Sequence, residues 1–307
     1  MCYNIEYKNS NQKGAMNVVI ENLKENIISN KDVLEILKYS HFNPTKEKLS
    51  KLIENYHKNE DISPFASFNG DNISGIIVVK KIDNESYEII DIAVDKDYRG
   101  QGIASKLIDY VIEKLDIKIL FAETDDDAVG FYKKYGFKTE TIKNQEYTRY
   151  KCTLKTFEIV KLKLEDFEKC NSIWDLKENE KFTQNIYDEL KSGNRITFIY
   201  KDKKSKKFLG EVSIVFNEKK LYTIKNVRIY LSRLIVKDTC RNKGIGTILC
   251  NYIFEYCKNL GYKEMSLGVN LDNYGAIRLY HKLGFKEILL VDKDEYGEYI
   301  VLLKKLI

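Results

Sequence analysis

Tyr230-Leu-Ser-Arg-Leu-Ile-Val-Lys-Asp-Thr-Cys-Arg-Asn-Lys-Gly-Ile-Gly246 decides how this 307-residue chain is read. Leu234, Ile235 and Val236 form a short apolar run of the kind a buried strand shows. A polar turn follows before Arg241-Asn242-Lys243-Gly244-Ile245-Gly246 opens an amphipathic helix. The same order returns upstream. Tyr87-Glu88-Ile-Ile-Asp-Ile92-Ala93-Val94 reads as a strand, Asp95 to Tyr98 as a turn, and Arg99-Gly100-Gln101-Gly102-Ile103-Ala104 as a helix start. The first turn of a helix has four backbone N–H groups without partners and carries the positive end of the dipole. Small residues there let an anion approach the bare backbone, so each loop suits a phosphate or pyrophosphate. A glycine beside a helix start also serves plain packing or a turn, and the loop alone leaves both readings open.

A second motif follows each loop. Asn273-x-x-Ala276-x-x-x-Tyr280-x-x-x-Gly284-Phe285 stands after the downstream copy, and Asp125-x-x-Ala128-x-x-x-Tyr132-x-x-x-Gly136-Phe137 after the upstream one. Spacings of four place Ala and Tyr on one helical face, glycine stops the helix, and Phe begins a strand. The loops lie 142 residues apart (Arg99 to Arg241) and the tyrosines 148 (Tyr132 to Tyr280). The second half therefore holds extra residues between its motifs, for which a longer helix and the Asn259-Leu-Gly-Tyr turn have room.

On these residues the chain resembles the GNAT superfamily of acyl-CoA-dependent N-acyltransferases, as a tandem pair. The resemblance implies an α/β fold of two GNAT-like domains, 1–155 and 156–307, each a mixed, mostly antiparallel sheet flanked by helices. It implies acetyl-CoA as cofactor, its pyrophosphate at Arg99 to Ala104 and at Arg241 to Gly246, with Ala128, Asn273 and Ala276 beside it. It further implies a pantetheine arm laid like an added strand along Ile92, Ala93, Val94 and along Leu234, Ile235, Val236. Asp125 departs from the family pattern, where Asn is common.

Composition fits this reading. With 43% hydrophobic and 32% charged residues the chain is globular in type and long enough for two cores. No apolar run approaches membrane-spanning length. Met1 to Gly14 lacks the apolar stretch of a signal peptide and reads as a polar leader, which makes a cytoplasmic protein the expectation. Six scattered cysteines without a C-x-x-C pair argue against a metal site. Cys250 and Cys257 read as packing residues, and His41, His57 and His281 suggest no site. A net charge of +5 does not demand a nucleic-acid partner, and Lys203 to Lys207 reads as a solvated hairpin loop.

Taken in order, Val18 to Asn59 reads as helical, broken at Pro44-Thr45. In the family such early helices overhang the acyl end and shape the substrate pocket. Phe65 to Phe68 and Ile73 to Lys80 read as a hairpin about Asn69-Gly70-Asp71-Asn72. Ile103, Leu107, Val111 and Leu115 make the buried stripe of the first loop's helix; Ile245, Leu249, Ile253 and Leu260 make that of the second. Glu165 to Trp174 and Thr183 to Ser192 read as helices. No glycine- or proline-rich linker separates the halves, so direct packing of one on the other is expected.

Acyl transfer to an amine needs an unprotonated nitrogen, a polarised carbonyl and an acid for the departing sulfur. The resemblance gives the acid role to Tyr132 and Tyr280, which could otherwise be packed core tyrosines, and lets a strand amide polarise the carbonyl. Glu88 is the general-base candidate, with a surface strand glutamate as the alternative; the second half has Tyr230 there, which is no ordinary base. The acceptor is a small-molecule or peptide amine. A non-catalytic acyl-CoA sensor or scaffold is the competing function. A nucleotide-binding protein fits less well, since no Gly-Lys-Ser/Thr follows the loop.

Overall fold

A computed structural model of the chain describes residues 18–142, 147–218, 221–294 and 297–306. The polar stretch Met1 to Gly14 lies outside them. The chain divides into two compact units between Thr156 and Phe157.

The first unit runs β1 (Val19–Asn22), α1 (Lys31–Leu37), α2 (Lys46–Lys58), β2 (Ile62–Asn69), β3 (Asn72–Lys81), β4 (Ser86–Val94), α3 (Ile103–Lys114), β5 (Ile119–Thr124), α4 (Asp126–Tyr135), β6 (Lys138–Ile142) and β7 (Arg149–Lys155). Its seven strands form one sheet in the order β1-β2-β3-β4-β5-β7-β6, antiparallel throughout except for β4 with β5. The second unit runs β8 (Phe157–Lys161), a 3-10 helix (Leu164–Ser172), α5 (Glu180–Ser192), β9 (Arg195–Asp202), β10 (Phe208–Val215), β11 (Arg228–Val236), α6 (Ile245–Asn259), β12 (Glu264–Asn270), α7 (Tyr274–Lys282), β13 (Glu287–Asp294) and β14 (Gly297–Lys305). Its sheet, β8-β9-β10-β11-β12-β14-β13, repeats the order of the first, again with a single parallel pair, β11 with β12. Two mixed sheets with helices on their faces are the tandem α/β architecture expected.

Several elements differ from expectation. Val19–Asn22 is a strand on β2, not the start of a helix. Val18 and Ile20 are both buried, a period of two that a β-branched run satisfies as an edge strand. Helix begins only at Lys31, where the Asn30 side chain accepts from the Asp32 amide. Leu164–Ser172 is 3-10 rather than α. Leu260 is exposed, and Cys250, Phe254 and Cys257 complete the buried face of α6 in its stead. The extra residues of the second half lie partly in α6, 15 residues against 12 in α3. The others are Asn270, Leu271 and Asp272 before α7; the Asn259-Leu-Gly-Tyr turn absorbs none of them.

One feature shapes both sheets. β4 stays paired with β3 as far as Val94 but with β5 only as far as Ile89. β11 stays paired with β10 as far as Val236 but with β12 only as far as Tyr230. At each parting the strand holds one residue more than its antiparallel neighbour, Ile90 in β4 and Ser232 in β11. Such a bulge bends the strand and re-aims its side chains, and here it turns a parallel pair into a fork. The outer flank of each fork remains closed, β5 by β7 and β12 by β14.

Candidate active site

Each fork opens toward a glycine loop. After β4 a 3-10 turn (Lys96–Tyr98) leads to Gly100 at φ 75° and Gly102 at φ 77°, and α3 starts at Ile103. After β11 the matching turn (Asp238–Cys240) leads to Asn242 at φ 60° and Gly244 at φ 75°, and α6 starts at Ile245. The left-handed conformation costs an ordinary L-residue roughly 1–2 kcal/mol; Gly escapes this and Asn tolerates it, which explains the residue types at these four positions. Neither Gly102 nor Gly244 provides a side-chain cap, so the first-turn amides of both helices keep free hydrogens. A Cβ on Gly100 or Gly102 would meet nothing within 4 Å, so the first loop lies open. Arg99 Nε donates to Val94 O and Arg241 Nε to Val236 O, both at 3.3 Å, the same brace from loop to strand end.

The sequence-predicted strand residues sit beside the forks. Ile92, Ala93 and Val94 lie beyond the last β4–β5 pair; Leu234, Ile235 and Val236 lie beyond the last β11–β12 pair. The apolar run 234–236 is only half-buried, because the neighbouring strand has departed. On that side its main-chain groups are available to an extended ligand. Asp125 and Asn273 cap α4 and α7, accepting from the amides of Ala128 (3.3 Å) and Ala276 (3.1 Å), so these four residues are engaged in helix starts.

Tyr132 and Tyr280 are buried on α4 and α7, edge-on to Phe137 and Phe285. Among the described residues neither hydroxyl makes a hydrogen bond. Burial raises the Tyr132 pKa, helped by Cys152 and Asp91; burial raises that of Tyr280, helped by Cys250 and Tyr230. Each phenol thus keeps its proton and lies within electrostatic reach of a residue on the fork strand.

Glu88 pairs with Phe121 on β5 and Lys80 on β3, inside the closed ladder. Tyr87 and Ile89 on either side pack into the core under α3 and α4, so Glu88 faces the opposite side, where α1 and α2 lie. Three residues on, past the bulge, is a group that sequence reasoning missed. The Asp91 side chain, 3% exposed, accepts a hydrogen bond from Tyr56 of α2, and its Oδ1 lies 3.0 Å from Nε2 of His41 in the α1–α2 loop. That ring nitrogen is buried yet out of line for a hydrogen bond. The unpersuasive histidine of the sequence is therefore at the fork. Fifty residues separate it from Asp91, so no local spacing could have joined them.

The second unit fills the same place differently. Arg233, one residue past the bulge as Asp91 is, pairs with Glu211 at 2.6 Å and lies 4.1 Å over the ring of Trp174 and 5.2 Å from that of Phe182. Trp174 donates to the other Glu211 oxygen at 3.2 Å. A second guanidinium, Arg195, bonds Ser232 (2.9 Å) and Glu189 (2.7 Å). Tyr230 reaches across the fork to the backbone of Gly268, and burial pushes its phenol up to about 12. Among the described residues no group of three His, Cys, Asp or Glu side chains is arranged to hold a metal ion, and no helix is long and apolar enough to cross a membrane.

The model of the Acetyltransferase (GNAT) family matches residues 30–137 and 158–285, more than half of the chain. Uncharacterised N-acetyltransferases of Methanocaldococcus jannaschii and Bacillus subtilis are each 40% identical, over 57 and 58 residues; each match covers 19% of this chain and 25% and 24% of the relative. The chain thus spans about a quarter of the length of these curated relatives. The solved PaiA N-acetyltransferase of Thermoplasma acidophilum, in complex with coenzyme A, is 21% identical over 48% of this chain and 98% of its own, with a TM-score of 0.36.

Proposed function

Because this chain belongs to the GNAT acetyltransferase family in both of its units, we propose that it transfers an acetyl group from acetyl-CoA to a primary amine of a small molecule or peptide. The observation that carries this reading is the fork in each sheet, a strand edge freed beyond Ile89 and Tyr230 that leads to an uncapped helix start. Open left-handed loops and first-turn amides fit a diphosphate, and the free strand edge fits an extended pantetheine chain. Bound there, acetyl-CoA supplies an activated acyl carbon. The chain's own part is to orient it along Ile92–Val94, polarise its carbonyl with a strand amide, and hold a proton ready on Tyr132. Glu88 puts a carboxylate on the α1–α2 face, toward which the amine would come.

The first unit is the transferring one in this reading. In the second, Arg233, Arg195, Trp174 and Phe182 occupy the corresponding face, where Glu211 and Glu189 are already paired with the two guanidinium groups and neither carboxylate is left to receive an ammonium. That arrangement favours the alternative function for this unit alone: binding of an acyl-CoA without transfer. Calorimetry with acetyl-CoA tests both statements. Wild-type protein is expected to bind two equivalents, and Gly102→Glu and Gly244→Glu to lose one each, through backbone strain and a carboxylate facing the diphosphate. Unchanged stoichiometry in both variants rejects the loop assignment. In a thiol-release screen of amines, Tyr132→Phe should lower kcat about 10–100-fold while Tyr280→Phe leaves it within about twofold.

A further inference from the structure

The two units carry opposite charges at one register-equivalent position. In the second, the residue past the bulge is Arg233, whose guanidinium is held by the buried Glu211 carboxylate and by aromatic faces. In the first it is Asp91, a buried carboxylate on the same face of its sheet, met among the described residues by no Lys or Arg but by a neutral phenol, Tyr56, and a histidine ring, His41. A buried carboxylate with so little compensation is costly, and His41 Nε2 is itself buried without a hydrogen bond. Both deficits are mended by one thing, a cation with several N–H donors set against Oδ1 and Nε2 together, which lie 3.0 Å apart. A primary ammonium has three.

We propose that Asp91 and His41 are the amine-receiving and proton-accepting pair of the first unit, with Tyr56 as the residue that positions the carboxylate. This rests on the acyl-transfer reading above. Asp91 is better placed for the task than Glu88, because it lies past Ile89 where the strands have parted, while Glu88 remains in the closed ladder. The His41 side chain, 33% exposed, joins the buried carboxylate to solvent. Tyr132, whose phenol senses Asp91, stands within reach of the same fork.

The proton balance closes. The ammonium gives one proton to the Asp91–His41 pair, which passes it to water. The freed nitrogen lone pair forms a bond to the acyl carbon, the carbon–sulfur bond breaks, and the sulfur takes the Tyr132 proton. The nitrogen's second proton returns to Tyr132. Amine and thioester become amide and thiol, with one proton released. The substrate class that follows is an unhindered primary ammonium presented on a chain slim enough to pass the α1–α2 loop. A neutral amide or alcohol is excluded, having no charge to compensate Asp91.

The test uses the full chain, acetyl-CoA and propylamine as a minimal primary amine, with thiol release read for kcat and KM and acetyl-CoA binding read by calorimetry. Asp91→Asn is expected to lower kcat at least about 100-fold and to raise KM for propylamine, with acetyl-CoA stoichiometry unchanged. His41→Ala, a loop substitution that leaves the core intact, should lose about tenfold in kcat and regain most of it on addition of imidazole. Tyr56→Phe should raise KM and lower kcat less than Asp91→Asn. Thiol release by wild type that Asp91→Asn and His41→Ala both leave within about threefold overturns the pair, as does a His41→Ala defect that imidazole does not relieve. Absence of thiol release by wild type with propylamine and with every amine of a panel overturns the acyl-transfer reading itself, and this one with it.

Discussion

Glu211 shows how much one side chain can be asked to hold. Its carboxylate is buried, its two oxygens engaged by Arg233 and by the Trp174 indole. Burial lowers the Arg233 pKa, opposed by that carboxylate, and the guanidinium side chain is only 11% exposed. Breaking such a pair from one side strands a charge in a low dielectric and typically costs about 3–5 kcal/mol. Glu211→Gln should therefore lower the unfolding free energy of the second unit, read from its urea melt, by an amount of that order. Glu211→Leu with Arg233→Met should be far less harmful, because removing both charges removes the desolvation cost as well. Equal destabilisation by the single and double variants would show that packing, not charge, sets the loss.

At the scale of elements, the helix after each loop is seated on a glycine of the adjacent strand. A Cβ on Gly75 of β3 would lie 2.8 Å from Ile103 Cγ2 and 3.1 Å from Leu107 Cδ1; on Gly210 of β10 it would lie 3.1 Å from Ile235 O and from Ile245 Cγ2. Gly75→Ala and Gly210→Ala should each lower the melting temperature, at a cost of about 1–3 kcal/mol for overpacking, and weaken acetyl-CoA binding at the loop they displace. Melting curves and calorimetry on each variant check this. These glycines show where reading the sequence stops. The loops were legible because glycine, arginine and a helical stripe follow one another within a few residues, and Tyr132 and Tyr280 because Ala, Tyr and Gly recur at fixed steps. Gly75 and Gly210 carry no local signal, since the side chains they make room for come from another element. The bulges at Ile90 and Ser232 are equally silent, being defined only against a partner strand. His41 carries no local signal either, since its approach to Asp91 is made by the packing of α1 and α2 on the sheet. Val19–Asn22 failed differently, too short a run for period two to outweigh the helical pattern beyond it.

For the molecule as a whole, the buried thiols and phenols set an alkaline limit. Burial pushes Cys250 and Cys257 up to about 12, and Tyr230 to about 12 with Glu218 as a lesser cause. The unfolded chain releases these protons near ~8.5 for thiols and ~10 for phenols. Between those values and about 12 the folded second unit binds more protons than the unfolded chain, so stability falls as pH rises and is undiminished below ~8.5. Urea melts at neutral pH and again above pH ~10 should show the midpoint dropping, and Cys250→Ala with Cys257→Ala should flatten the drop. A pH-independent midpoint over that range would mean that these groups ionise without unfolding.

The forks have one consequence beyond the proposed acyl transfer. Where β4 leaves β5 and β11 leaves β12, two seams of main-chain polar groups edged with isoleucine, valine and leucine have no ladder partner on one side among the described residues. Any extended segment can zip onto such a seam, a neighbouring molecule's included. On the proposed function, keeping this protein monodisperse during purification and storage becomes a question of ligand supply, since a coenzyme A laid along the seam would shield it.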